Sequence, residues 1–169
     1  FAPSSVGLVM LVYGVSVAIG NIWGGKLADK HGPSRALQVV FALLALVLLV
    51  LTFTASHAWL VVATVLAWGA VAFGNVPGLQ VYVVQRAERD APHAVDVASG
   101  LNIAAFNVGI AIGAWGGGLI VTHLGLMATP WIGALVVTGA LGLTTLAGWL
   151  DRRDGVSTET TGPRAAAAH

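Results

Sequence analysis

The sequence predicts an all-α membrane protein, a polytopic bundle of five transmembrane helices. Hydrophobic residues make up 57% of the 169 residues and charged residues only 9%, whereas about a quarter of the residues of a soluble domain are charged. The mean hydropathy is +0.86. Helices are expected because lipid cannot satisfy an unpaired backbone N–H or C=O. The alternating pattern of barrel strands does not occur in the sequence.

Five apolar stretches are long enough to cross a hydrocarbon core of about 30 Å, which needs roughly 20 helical residues. They cover approximately residues 6–24, 37–55, 59–84, 98–121 and 130–150. The second stretch, LQVVFALLALVLLVLTFTA, has Leu, Val and Ala on every face, which is typical of a helix in contact with lipid. The other long stretches carry Gly, Asn, Gln, Ser or Tyr, which indicates burial against helices or a cavity. Residues 1–150 are therefore predicted to form one transmembrane bundle.

The two ends of the chain differ in composition from the predicted bundle. Residues 151–169, DRRDGVSTETTGPRAAAAH, have few bulky apolar side chains, so they are predicted to form a disordered tail. The chain begins with Phe1, and no basic segment followed by a cleavage site precedes the first apolar stretch. We therefore expect the chain to be a piece of a longer protein.

All basic side chains fall at one end of the predicted helices. They are Lys26, Lys30 and Arg35 in the first connection, Arg86 and Arg89 in the third, and Arg152, Arg153 and Arg164 after the last helix. The opposite connections, SHAW and THLGLMATP, and the N-terminal FAPSS contain no Lys or Arg. The positive-inside rule then predicts that the chain starts outside and that its tail is cytoplasmic. The expected location is a cell membrane, taken to be a bacterial inner membrane.

Residue types exclude several classes of function. A net charge of +1, from eight Lys and Arg among seven acids, does not suit a nucleic-acid partner. Cys is absent and no His has a second ligand at metal-binding spacing, so no metal or other cofactor is expected. The Gly-x-Ser-x-Gly and His-Glu-x-x-His motifs are missing as well. The chain is therefore not expected to be an enzyme.

Polar side chains within the apolar stretches are candidates for a substrate cavity, because such residues are costly in lipid and face protein or water. Trp68, Asn75 and Tyr82 project to nearly the same side of the third stretch at helical spacing. In the fourth stretch, Asn102 shares a side with the glycines. Such a surface would suit a neutral or amphipathic small molecule. Hydrogen bonding between helices is the alternative for the Asn residues and for Gln80.

Glycine and proline predict how the helices pack and bend. Gly109, Gly113 and Gly117 recur every four residues, which predicts a stripe for close helix packing. A rocking interface needs such smooth contact, and static packing is the alternative. In the third stretch, Pro77 beside Gly78 predicts a kink.

The connection between the first two stretches carries the most specific pattern. The segment GKLADKHGPSRAL, residues 25–37, resembles the loop signature of the major facilitator superfamily, which is Gly, three residues, Asp, a basic residue, any residue, Gly and then basic residues. Pro33 occupies the position that is usually basic after the second Gly. The positions assigned to this motif are Gly25, Asp29, Lys30, Gly32 and Arg35.

The resemblance implies a secondary transporter with two six-helix halves that open alternately to each side. Five spans with an outside start match the eighth to twelfth helices of such a transporter. The glycine-rich fourth stretch is similar to the eleventh helix of the drug- and sugar-efflux branch, including arabinose-efflux-permease-like proteins. The implied function is efflux of a small solute, a sugar or drug, with proton antiport as one option. The implied partners are the substrate, the lipid bilayer and the missing N-terminal half.

Two further implications concern the loop and the alternatives. Asp29 matches the Asp of the loop signature. In the resembled family, that Asp latches neighbouring cytoplasmic helix ends when the transporter is open to the outside. A channel subunit or a non-transporting membrane scaffold is the alternative function. Either would explain the glycine stripes but not the loop signature.

Overall fold

The structure, a computed structural model, describes residues 3–159, and all regular secondary structure within that range is helical. The six α-helices are α1 (Pro3–His31), α2 (Pro33–Thr54), α3 (Ala58–Phe73), α4 (Asn75–Asp90), α5 (Val95–Leu124) and α6 (Thr129–Glu159). Short 3₁₀ turns precede α5 and α6, at Pro92–Ala94 and Leu126–Ala128. The predicted all-α membrane bundle is confirmed.

Four helical segments of the described residues are long and apolar enough to cross a membrane. They are Pro33–Thr54, Trp59–Asp90, Pro92–Leu124 and Leu126–Arg153. The first predicted stretch, residues 6–24, lies inside α1, a continuous helix of 29 residues. The chain is thus a multi-pass membrane protein, and the membrane boundaries within its helices stay predictions.

The connection between α1 and α2 is a single residue. Gly32 has a φ of +80°, a left-handed conformation that favours glycine. Pro33 then begins α2 in the first turn, where a missing N–H costs nothing and the fixed φ suits a helix. The predicted loop signature is therefore mostly helical, with Asp29 and Lys30 in the last turn of α1 and Arg35 in the first turn of α2.

The third predicted stretch is interrupted, as Pro77 predicts. It divides at Gly74 into α3 and α4, and the Gly74 N–H donates to the Val71 carbonyl at 3.2 Å. Pro77 has no N–H to donate to the carbonyl of Phe73, four residues earlier, so the helical bonding cannot continue through this turn. Both α3 and α4 pack against α1 and α2, and α4 also packs against α5.

The core lies around α2, which packs against α6, α3, α4 and α1. Its buried residues are Ala36, Leu37, Val40, Leu44 and Ala45, whereas Leu46 and Phe53 are exposed on its outer side. The expectation that α2 contacts lipid on every face is corrected, because one side is packed. Composition does not reveal that side, since in a membrane a buried face need not be more apolar than a lipid-facing one.

Close backbone contact joins α1 to the α3–α4 junction. A Cβ at Gly20 would overlap the carbonyl oxygen of Ala70, and a Cβ at Gly24 would overlap that of Gly74. Only glycine permits this approach, because the obstructing atoms belong to backbone.

Helix α5 lies at the edge of the bundle. It packs along α4 and only slightly against α6, and none of its residues is buried. Ile112 is 62% exposed and Trp115 is 70% exposed. Most of the α5 surface is therefore open within the described chain.

The predicted disordered tail, residues 151–169, begins inside a helix. Helix α6 continues to Glu159, so helix extends into the first part of this segment, and residues 160–169 lie outside the described part of the chain. The disorder of the tail stays a prediction. No proline stops the helix in this segment. Asp151 is also bonded to α4, which anchors the helix beyond its apolar part.

Candidate functional site

A groove of about 450 Å³ runs between α4 and α5. Its lining residues are Asn75, Leu79, Asn102, Ala105, Phe106, Gly109 and Ile110. The structure thus brings two of the four predicted cavity residues, Asn75 and Asn102, to one groove. Two amides beside an aromatic and aliphatic wall are typical of small-molecule sites.

Asn75, the first residue of α4, has an incomplete set of hydrogen bonds. Its Oδ1 is buried and has no hydrogen-bond partner within the described residues. A buried acceptor without a donor costs about 1–3 kcal/mol. Asn75 lines the groove, and a donor that reached this oxygen would remove that cost.

Asn102 belongs to a hydrogen-bond network that joins α5 to α4. Its Nδ2 donates to Gln80 Oε1 at 2.8 Å, and Gln80 Nε2 donates to Ser99 Oγ. Hydrogen bonding between helices, the alternative interpretation of Asn102 and Gln80, is therefore observed. The network fixes the wall of the groove, and Ser99, three residues before Asn102 on the same helix, is a member that the sequence did not indicate.

The other two predicted cavity residues lie elsewhere. Trp68 stacks on Tyr13 of α1 with ring centroids 6.0 Å apart, and the Tyr82 hydroxyl donates to Asp151 Oδ2 at 2.8 Å. The predicted stripe does not face one cavity, because the neighbouring helix changes along α3 and α4. Trp68 contacts α1, Asn75 lines the groove beside α5, and Tyr82 contacts α6. A role of any of the four residues in handling a solute stays a prediction.

The predicted packing stripe of α5 has no partner within the described chain. A Cβ added at Gly109, Gly113 or Gly117 would meet no atom within 4 Å. These glycines do not pack α5 against the other described helices, and close packing at them requires a surface outside residues 3–159.

The loop-signature residues are open as well. Asp29, Lys30 and Arg35 are exposed, and none of them forms an ion pair within the described part of the chain. The structure gives Gly32 a clear role in the turn between α1 and α2. The latch function of Asp29 stays a prediction.

A second cavity, of about 410 Å³, lies between the ends of α1 and α4, the start of α2 and residues 148–152 of α6. Four arginines and one aspartate are among its lining residues, namely Arg35, Arg86, Arg89, Arg152 and Asp151. We call this cavity the basic pocket. Four of the eight Lys and Arg residues that are predicted to share one end of the helices therefore line one cavity.

Arg86 and Asp151 form the central ion pair of the basic pocket. Arg86 Nη1 lies 2.7 Å from Asp151 Oδ1, and Arg86 Nε lies 2.7 Å from Asp90 Oδ2. Sequence reasoning missed this pair, because Arg86 and Asp151 are 65 residues apart and Asp151 was placed in the predicted tail. The one sequence signal for this pair is that both residues lie at the same end of the predicted helices.

Among residues 3–159, no group of three or more His, Asp or Glu side chains is placed to hold a metal ion.

Comparison with known proteins gives a consistent family. Residues 1–168 match the profile of the Major Facilitator Superfamily. The chain is 51% identical over 154 residues to the "Uncharacterized MFS-type transporter YtbD" of Bacillus subtilis (strain 168), with 91% of the chain and 39% of that protein covered. It is 36% identical over 140 residues to the "Inner membrane transport protein YdhP" of Escherichia coli (strain K12), with 82% and 35% covered.

A more distant relative has a more specific name. The chain is 29% identical over 146 residues to the "Probable sugar efflux transporter" of Helicobacter acinonychis (strain Sheeba), with 86% of the chain and 35% of that protein covered. No solved structure matches the chain significantly. The chain spans little more than a third of the length of these curated relatives.

Proposed function

Because the chain belongs to the Major Facilitator Superfamily, we propose that it forms part of a secondary active transporter that exports a small solute by alternating access. The observation that carries this proposal is the groove between α4 and α5, where Asn75 offers an unpartnered acceptor beside Asn102. The groove lies along α5, and none of the residues of α5 is buried. This arrangement suits a solute path completed by another part of the protein.

The partner of the open α5 surface is proposed to be the N-terminal half of the same transporter. Relatives are more than twice as long as the matched region, so they contain the additional chain that such a half would need. The unpartnered glycines of α5 would give that half a smooth contact surface. Asp29 would then latch onto it, and unchanged spin-label distances between the halves in Asp29→Asn would contradict this role.

The groove favours a neutral or amphipathic solute such as a sugar or drug. Amide groups donate to and accept from hydroxyls, and Phe106 provides an apolar wall. No carboxylate is among the described residues that line the groove. If export is coupled to protons, the titrating acid would lie elsewhere in the transporter.

The proposed orientation places the basic pocket in the cytoplasm. It rests on the one-sided distribution of Lys and Arg. Cysteines introduced at His57 and Lys30, both exposed, test it in intact cells with an impermeant thiol reagent. Labelling at position 57 and not at position 30 would agree with the orientation, and the reverse pattern would contradict it.

Solute flux tests the function. The full-length protein would be reconstituted into vesicles and tested against a panel of sugars and amphipathic drugs. Saturable movement coupled to an ion gradient supports the proposal. Ohmic, unsaturable flux would instead support a channel subunit, and absence of flux for all solutes would support a scaffold.

A further inference from the structure

The basic pocket has an excess of positive charge that its own carboxylate does not balance. Asp151 is already engaged at both oxygens, since Oδ1 pairs with Arg86 and Oδ2 accepts from Tyr82. Arg86 pairs with Asp90 as well. The carboxylates of Asp90 and Asp151 therefore both form ion pairs with Arg86.

Three further arginines face the same cavity. Arg35, Arg89 and Arg152 form no ion pair within the part of the chain whose side chains are described. Like charges that line one cavity raise its positive potential and attract anions. This arrangement therefore favours a bound anion over an empty pocket.

Helix geometry explains why these side chains converge. Tyr82, Arg86 and Arg89 lie three or four residues apart and so share one side of α4. Gly148 lies against Ser34, where an added Cβ would clash with the Ser34 hydroxyl. Arg152, one turn after Gly148, is thereby held near Arg35 at the start of α2.

We propose that the basic pocket binds the phosphate group of an anionic ligand. The planar guanidinium group matches phosphate oxygens with two parallel hydrogen bonds, which a chloride ion cannot accept. A volume of about 410 Å³ lies within the usual range of small-ligand pockets. The first turn of α2 opens on the same cavity, and its dipole adds to the attraction that the arginines provide.

The phosphate has two candidate sources. The pocket lies at the ends of membrane helices, where the phosphodiester of an anionic lipid headgroup would be in reach. A phosphate-bearing solute from the adjoining water would present the same chemistry. Neither source depends on the proposed transport function.

Binding to the purified full-length protein tests the proposal. Phosphatidylglycerol would be titrated and counted by native mass spectrometry, and inorganic phosphate would be titrated by calorimetry. We expect saturable binding of at least one probe. The double variant Arg89→Gln, Arg152→Gln should weaken that binding about tenfold, since it removes two guanidinium contacts.

A matched control removes equal charge from the same end of the bundle. The double variant Lys26→Gln, Lys30→Gln changes two exposed residues that do not line the pocket. Binding should change less than about twofold, because these lysines make no direct contact with a ligand in the pocket and act on it only through screened electrostatics. Binding of lipid but not phosphate assigns the headgroup, and binding of phosphate assigns the solute.

Three results with the glutamine variants would overturn the proposal. These are unchanged binding in Arg89→Gln, Arg152→Gln, equal weakening in both double variants, and failure of both probes to bind saturably. If the glutamine variant cannot be purified, Arg89→Lys, Arg152→Lys replaces it, because lysine keeps the charge but lacks the planar fork. A severalfold loss of binding in that variant supports the proposal, and unchanged binding contradicts it.

Discussion

The Asp151 carboxylate lies 2.7 Å from the Arg86 guanidinium, and the pair ties the end of α4 to α6. The Tyr82 hydroxyl donates to the other carboxylate oxygen, so two side chains of α4 hold one residue of α6. This contact extends the packing of α6 beyond its apolar segment. It also orients two of the helices that form the basic pocket.

Replacement of Asp151 tests the contribution of this contact. Asp151→Asn should lower the free energy of unfolding by about 1 kcal/mol, a modest effect because both side chains are partly solvated. Thermal unfolding in detergent measures it. Glu88→Gln is the control, since Glu88 is an exposed acid on α4 without an ion pair among the described residues. Equal melting temperatures for the two variants would show that the contact does not stabilise the fold.

The close contact between α1 and α3 predicts a larger loss of stability on substitution. Gly20→Ala should destabilise the bundle by about 1–3 kcal/mol, because the new methyl group would overlap backbone and force the helices apart. Gly14→Ala on the same helix is the control, since no atom lies within 4 Å of its added Cβ. Loss of folded protein should therefore follow Gly20→Ala alone. Similar unfolding temperatures would mean that α1 and α3 are not in close contact.

Hydropathy and proline position predict much of the fold, because they depend on local sequence. The apolar stretches and the kink near Pro77 each follow from residues within a few positions of one another. The packed side of α2 could not be predicted in this way. Its buried Leu37 and Val40 and its exposed Leu46 and Phe53 are all apolar, so no contrast marks the core.

The candidate site was predicted in part for a related reason. Asn75 and Asn102 were selected as polar residues in apolar stretches, and they do line one groove. Trp68 shares the helical side of Asn75 but contacts α1, since a stripe on one helix crosses several neighbours along its length. Periodicity gives the side of a helix and does not give the helix that it faces.

Replacement of Asn75 tests the groove as a solute site. In the full-length protein, Asn75→Ala should raise the solute concentration for half-maximal transport about five- to tenfold, as expected for one lost hydrogen bond in a low-dielectric site. Thr52→Ala is the control, because the Thr52 hydroxyl donates to Leu48 within its own helix at 3.0 Å. Flux assays at matched expression compare the two. Equal effects of the two substitutions on transport would contradict a role of the groove as a solute site.

The open glycine stripe of α5 makes the last prediction, which concerns the contact with the rest of the transporter. Gly113 is exposed and a Cβ added there meets no atom within 4 Å in the described chain, so we expect the Gly113→Leu protein to remain folded and reach the membrane. If α5 contacts another half through its glycines, the leucine side chain would hold the two helices apart. Transport by the full-length protein should then fall at least about tenfold, equivalent to about 1.4 kcal/mol of lost contact energy.

The matched control for this prediction lies on α6. Gly139 also has no atom within 4 Å of an added Cβ, so Gly139→Leu adds the same side chain to an open surface of another helix. We expect near-normal transport from this variant, because α6 packs on α2 and its open side would face lipid. A comparable loss in both variants would indicate a general effect of added bulk. Normal transport in Gly113→Leu would show that α5 does not use its glycines for close contact with another half.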